Sequence, residues 1–83
     1  MTTKSTAVTI TLEGDAETLA SMLTSWRESA ADAALRLEKR AEIAQGAPRF
    51  RASIERCRDT CEAAASRLSG ALLIVDGEIE VTR

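Results

Sequence analysis

Apolar residues in the central part of the chain recur every three or four positions, the spacing that lines one face of a helix. The intervals alternate between four and three over residues 15–45, and the alternation returns over residues 48–69. A sustained repeat of this kind is typical of coiled coils, in which a narrow row of side chains packs against a second helix. The predicted rows are Leu19, Leu23, Trp26, Ala30, Ala33, Leu37 and Ala44 in the first helix, and Phe50, Ile54, Cys57, Cys61, Ala64 and Leu68 in the second.

A short break, Gln-Gly-Ala-Pro at 45–48, separates the two repeats. Glycine is favoured just past a helix end because it adopts positive φ without strain, and proline is favoured in the first turn of a helix. If the two helices are antiparallel, the rows meet along their length, with Leu37 facing Cys57 and Trp26 facing Leu68. The sequence therefore predicts a long antiparallel hairpin of helices 15–45 and 48–69.

The two ends of the chain have the patterns of strands. Residues 6–12 alternate, with Val8, Ile10 and Leu12 on one face. Residues 71–82 contain two apolar runs on either side of Asp76-Gly77, a dipeptide that favours a type I′ turn. We therefore expect one α+β domain, residues 1–83, in which a three-stranded antiparallel sheet of order β-α-α-β-β closes the open end of the hairpin.

The outer face of this predicted sheet holds Leu73 and Val75 beside Glu78 and Glu80. An exposed apolar sheet face often packs against another chain, so the pattern predicts a homo-oligomer, most simply a dimer. The alternative is that the start of the first helix covers this face. A second predicted contact lies beside the first helical row, at Ala31, Ala34 and Leu35. The alternative is that these residues are helix-forming positions exposed to solvent. The predicted oligomer interface comprises Leu73, Val75, Ala31, Ala34 and Leu35.

The net charge is −2, but the charges are unevenly distributed. Residues 36–58 contain seven basic and three acidic residues, whereas the remainder contains four basic and ten acidic residues. The hairpin tip is therefore basic, and a basic surface attracts an acidic protein surface or nucleic acid. The alternative is a solvated surface in which Arg51, Glu55, Arg58 and Glu62 pair with one another. The predicted partner-binding residues are Arg36, Lys39, Arg40, Arg49 and Arg51.

The residue types argue against catalysis. The chain has no histidine, the usual general base and the commonest metal ligand, and its glycines form no phosphate-binding loop. Cys57 and Cys61 are four residues apart, so their Cβ atoms would lie ~5–6 Å apart, too far for an unstrained disulfide. We interpret both as small core residues, with a redox role or thiols meeting across a dimer as alternatives. We expect no enzyme activity, no cofactor and no metal site.

The opening Val-Thr-Ile-Thr-Leu at 8–12, followed by Asp15 and a helix, resembles the start of ribbon-helix-helix DNA-binding proteins. The resemblance implies a DNA-reading strand and a turn within the first helix, near residues 25–29. The outward residues of such a strand would be Ala7, Thr9 and Thr11, none of which is basic. The resemblance therefore supports nucleic-acid binding only as an alternative function.

The chain has neither a signal-peptide pattern nor an apolar run long enough to cross a membrane, so we expect a cytoplasmic protein. The expected function is a non-enzymatic protein–protein interaction module that binds and blocks a larger protein. Its small size, acidic composition and lack of a cofactor are common among inhibitors of host machinery that phages or other mobile elements encode, so we expect a protein of that kind. The alternatives are a nucleic-acid binder that uses the basic tip and an oligomer that sequesters a small ligand.

Overall fold

The computed structural model describes residues 6–82, and this part of the chain is a hairpin of two helices. Helix α1 spans Ala16–Ile43 and helix α2 spans Pro48–Thr82. The helices pack against each other and form a flat rod of 55 × 27 × 14 Å. Residues 6–14, here called the leading segment, precede α1 without regular secondary structure. The predicted two-helix hairpin is confirmed.

The predicted three-stranded sheet is wrong, because residues 6–82 contain no strand. Helix α2 instead continues through the predicted β-hairpin to Thr82. The spacing of Ile54 and Leu68 continues at Leu72, Val75 and Ile79, and these three side chains are buried or half-buried. As a helix, residues 71–82 therefore extend the row that packs on α1. The class is all-α rather than α+β, and the order β-α-α-β-β does not occur.

The resemblance to ribbon-helix-helix proteins fails for the same reason. Residues 6–12, which would form the DNA-reading strand, have no strand structure. Helix α1 also runs unbroken through residues 25–29, where that family requires a turn. The described part of the chain therefore has neither of the two elements on which the resemblance depended.

Helix α1 begins at the predicted cap. The Thr18 backbone N–H donates to Asp15 Oδ2 at 3.0 Å, and Glu17 lies in the positively polarised first turn. Hydrogen bonding from Thr18, through its side chain and then its backbone N–H, holds the pKa of Asp15 below its ordinary value. A lowered pKa means that the cap stabilises the helix above the pKa of the unfolded chain. That stabilisation is lost as the pH falls through the folded-state pKa.

The turn between the helices occupies residues 44–47. The Ala44 N–H donates to the Arg40 carbonyl and the Ala47 N–H to the Ala44 carbonyl, each at 3.0 Å. Helix α2 begins at Pro48, as predicted, because the first turn of a helix does not need the missing N–H. Gly46 does not have positive φ, so the conformational reason predicted for this glycine is wrong.

The seam, defined as the row of each helix that faces the other, differs from the predicted rows at alternate positions. The buried residues are Leu23, Ala34 and Ala41 in α1 and Ile54 and Leu72 in α2. With the half-buried residues at the same spacing, they form two unbroken repeats. The α1 seam is Ala16, Ala20, Leu23, Arg27, Ala30, Ala34, Leu37, Ala41 and Ala44. The α2 seam is Ile54, Arg58, Cys61, Ala65, Leu68, Leu72, Val75 and Ile79.

Three residues predicted in the seam are exposed instead. Trp26 is 42% exposed and Phe50 is 59% exposed, and Cys57 is also an exposed residue. The observed register places Ala41 in the core and leaves the charged Arg40 in solvent. The same register brings Arg27 and Arg58 to half-buried seam positions, where a long carbon stem can pack while the charge reaches solvent. Across the helix pair, Leu23 lines one crevice with Ala71 and Val75.

A substitution at Gly77 tests whether residues 71–82 are helical. A Cβ at Gly77 meets nothing within 4 Å, and glycine inside a helix costs about 0.5–1 kcal/mol relative to alanine. We expect Gly77→Ala to raise the free energy of unfolding by that amount in urea denaturation followed by circular dichroism. Gly70→Ala should raise the free energy of unfolding similarly. Gly46→Ala, in the turn, is the control and should change it little. A type I′ turn at Gly77 would give the opposite sign, because it requires positive φ there.

Candidate interaction surfaces

The basic tip, defined as Arg36, Lys39, Arg40, Arg49 and Arg51, lies at the half of the rod nearest the turn. All five residues are exposed. Two of them form ion pairs along their own helix: Arg36 Nη2 lies 2.9 Å from Asp32, and Arg51 Nε lies 2.8 Å from Glu55. Within residues 6–82 the other three form no ion pair. The tip therefore presents three cations that the described part of the chain does not neutralise.

Of the ion pairs predicted on the second helix, only the one between Arg51 and Glu55 forms. Arg58 bonds to its neighbour Asp59 instead, with its Nη2 atom 3.0 Å from Asp59 Oδ1. That hydrogen bond, with the attraction of Asp59, Glu62 and Glu55, raises the pKa of Arg58. Arg58 occupies a seam position with its side chain 26% exposed. Its carbon stem can therefore cover the seam while its charge reaches solvent.

Two large apolar side chains share the end of the rod with the basic tip. Ile43 ends α1 and is 85% exposed, and Phe50 lies in the first turn of α2. The sequence reasoning assigned Phe50 to the seam and so left the tip without an aromatic side chain. The structure brings arginine, aromatic and aliphatic groups together there, a combination enriched in protein interfaces.

One broad side of the rod, here called the apolar face, presents large apolar side chains, with Arg67 beside them. Helical periodicity places it beside the seam on both helices, and a crevice joining Leu19 of α1 to Ala71 and Ile74 of α2 shows that both contributions lie on the same side. Trp26 belongs to this face, which the sequence reasoning missed by placing Trp26 in the seam. The apolar face is Leu19, Met22, Trp26 and Ala33 of α1 and Ala64, Ala71 and Ile74 of α2.

The leading segment crosses the apolar face without sealing it. Ile10 and Leu12 line a crevice of about 240 Å³ with Leu23 and Ile74, and Val8 lines another with Ala64. Val8 and Ile10 nevertheless remain 73% and 76% exposed. The alternation that predicted a strand thus corresponds to a segment that rests on the helices and leaves much of its apolar surface in water.

The opposite side of the rod, here called the acidic face, carries nine carboxylates, two of which, Glu55 and Asp59, form ion pairs with Arg51 and Arg58. Leu35 and Leu73 are exposed among these acids, at 58% and 73%. An excess of negative charge of this kind favours solvation and repels a second acidic surface. The acidic face comprises Glu17, Glu28, Glu38, Glu42, Glu55, Asp59, Glu62, Asp76 and Glu80.

The residues predicted as an oligomer interface do not form one surface. Ala34 is buried in the seam and Val75 is half-buried there, so neither is presented to another chain. Ala31, Leu35 and Leu73 are exposed on the side of the acidic face. The outer sheet face that was to join Leu73, Val75, Glu78 and Glu80 does not exist, because these residues point in different directions around α2.

The two cysteines also depart from the prediction of two core residues. Cys61 is half-buried in the seam, whereas Cys57 is exposed, and both are free thiols. Within residues 6–82, no group of three or more cysteine, aspartate or glutamate residues is arranged to hold a metal ion. No helix in this part of the chain is both long enough and apolar enough to cross a membrane.

No protein-family model, curated protein or solved structure matches the chain. Its function is therefore argued from the surfaces described above.

Proposed function

We propose that the protein is a non-enzymatic interaction module that binds an acidic surface of a larger protein through the hairpin tip and thereby blocks that surface. The observation that carries this proposal is the set of exposed cations that form no ion pair within residues 6–82, Lys39, Arg40 and Arg49, next to exposed Ile43 and Phe50. Such a surface can gain affinity from apolar burial and selectivity from charge. A long helical hairpin also holds its tip away from the rest of the molecule, where it can enter a cleft.

Exposure of Phe50 supports a second candidate, single-stranded nucleic acid. Bases stack on aromatic side chains, and arginines beside them contact phosphates. The sequence reasoning discounted this function because Phe50 was assigned to the seam, and its 59% exposure removes that objection. The tip has only one aromatic residue, however, and a protein partner uses both Ile43 and Phe50. Protein binding is therefore the first proposal.

The test is a pull-down from host lysate with variants matched in net charge. The tip variant combines Lys39→Gln, Arg40→Gln and Arg49→Gln. The control combines Ser21→Glu, Ser25→Glu and Ser66→Glu, which changes the net charge equally at exposed sites far from the tip. We expect the tip variant to capture about tenfold less partner or worse, and the control to capture the same amount as the unmodified chain.

Nuclease treatment of half of each lysate separates the two candidates. A protein recovered equally from both halves, and lost with the tip variant, supports the first proposal. Recovery of nucleic acid alone, with binding that weakens steeply as salt rises, supports the second. Equal loss of capture in the tip variant and in the control would contradict both, because net charge rather than the tip would then govern binding.

A further inference from the structure

The rod exposes more surface than a folded monomer of its mass. The accessible area is 6855 Å². Folded monomers of 8.9 kDa expose about 4800 Å² by the usual scaling of area with mass. The excess is about 2000 Å², and a standard interface buries about 800 Å² on each partner. The chain thus leaves more than enough area for one complete interface.

The apolar face contributes several exposed large apolar side chains to this surface. Trp26 and Met22 on α1 are 42% and 38% exposed, and Ile74 on α2 is 72% exposed. The outward surfaces of Val8 and Ile10 add to the same side, since the leading segment lies on this face. Exposed apolar side chains gathered on one side of a molecule are typical of a contact surface.

The raised and recessed parts of this face fit those of a second copy when the two copies are antiparallel. Within residues 6–82, the leading segment forms a ridge from Leu19 and Ile74 near the open end to Ala64 at mid-rod. Two shallow crevices, of about 500 and 390 Å³, lie between mid-rod and the tip. Turning a second copy end for end places Ile10 and Leu12 of each copy over the crevices of the other and brings the two copies of Val8 together near the axis. The crevices are lined by Ser29, Asp32, Ala33, Arg36 and Leu37, and by Ser53, Arg56, Cys57, Thr60 and Cys61.

The charges favour the same orientation. Residues 6–26 and 71–82, which form the open end, contain six acidic residues and no basic residue. Residues 36–58, around the tip, contain seven basic and three acidic residues. Antiparallel copies place the basic tip of each beside the acidic open end of the other, whereas parallel copies place like charges together.

We propose that a second copy of this chain covers the apolar face, antiparallel to the first, to form a four-helix bundle. A two-fold axis at mid-rod brings α1 of each copy beside α1 of the other, as an isologous interface requires. The large Trp26 then meets the region of Ala33 in the second copy, so that large and small side chains interdigitate. The acidic faces remain outside and the two basic tips point to opposite ends. Arg36 of the basic tip lines a crevice that this interface covers, but the variants that test the two proposals change different residues, so either proposal can fail alone.

Sedimentation equilibrium at micromolar concentration tests the dimer. We expect a mass of two chains for the unmodified protein and one chain for Trp26→Glu, with the helical circular dichroism retained. Leu35→Glu on the acidic face is the matched control and should remain a dimer. Trp26 is the single tryptophan, so its emission should shift to the blue as dimers form. A monomer of unmodified protein, or a dimer broken by Leu35→Glu and not by Trp26→Glu, overturns the proposal.

A disulfide tests the orientation without destabilising the fold. Ser29 is exposed near the middle of α1, so Ser29→Cys, made with Cys57→Ser and Cys61→Ser, should crosslink across the two-fold axis. The native Cys57 lies eight residues from the middle of α2, which separates the two copies of Cys57 by about 24 Å. The unmodified chain should therefore not crosslink. Crosslinking through Cys57 but not through the cysteine introduced at residue 29 would overturn the antiparallel arrangement.

Discussion

Leu72→Ala is expected to lower the free energy of unfolding by about 2–5 kcal/mol, the usual cost of removing a buried leucine side chain. Leu72 is 8% exposed and is one of the two buried residues of the α2 seam. A chain of this length is expected to have only about 4–12 kcal/mol of stability in total. Since five residues make up the buried core, this single truncation removes a large fraction of what holds α2 to α1.

The adjacent Leu73 provides the control, because it has the same chemistry and is 73% exposed. Leu73→Ala should change the free energy of unfolding by less than about 0.5 kcal/mol. Both variants can be compared by urea denaturation at a fixed protein concentration, followed by circular dichroism at a helical wavelength. Similar losses for the two variants would contradict the helical register of residues 71–82.

The second large effect is expected at Ala34, where the substitution Ala34→Asp places a carboxylate in the seam. Ala34 is 6% exposed, and the buried residues of the described chain are all apolar, while the two arginines of the seam, Arg27 and Arg58, are only half-buried. Burying an unpaired charge should cost more than about 3 kcal/mol and reduce the helical signal at 25 °C.

Ala31→Asp is its control, because Ala31 is exposed on the same helix. In both variants aspartate has a lower helix propensity than alanine, which costs about 0.7 kcal/mol at most. The difference between their free energies of unfolding therefore reports burial alone. Thermal unfolding of the two variants side by side measures this difference. A larger loss of stability in Ala31→Asp than in Ala34→Asp would mean that the seam follows a different row of α1 from the one described.

The two helices themselves were predictable, because their cause is local. The seven-residue repeat, Asp15 at the cap and Pro48 at the start of α2 each act within one or two turns of chain. The register was not predictable in the same way. Alanines occur at neighbouring positions, such as Ala33 and Ala34, so two rows fit the pattern almost equally. Assigning the large Trp26 and Phe50 to the seam selected the wrong row.

The error at residues 71–82 has a different physical origin. Asp76-Gly77 is a strong local signal for a turn, but a turn preference is overruled when a helix can extend an existing packed row. The sequence did contain that row, since Leu68, Leu72, Val75 and Ile79 continue the alternation of four and three. Weighing this long repeat above the dipeptide would have favoured the helix.

The surfaces were the least predictable part, since they depend on the register. The basic tip was found because charge clustering can be read directly from the sequence. The apolar face could not be found while Trp26 was assigned to the seam, since the remaining apolar residues then seemed scattered. The leading segment could not be placed on it, since an alternating pattern gives the shape of a segment but not the surface that it contacts.

The shape of the rod has a consequence for how the molecule moves in solution. At 55 × 27 × 14 Å, its length is about four times its thickness, so its frictional coefficient exceeds that of a sphere of 8.9 kDa. A monomer should therefore elute early from a gel-filtration column calibrated with globular standards, at a volume that suggests a heavier particle. Tumbling should also be anisotropic, with rotation about the long axis faster than end-over-end rotation, and the fluorescence depolarisation of Trp26 should contain both rates.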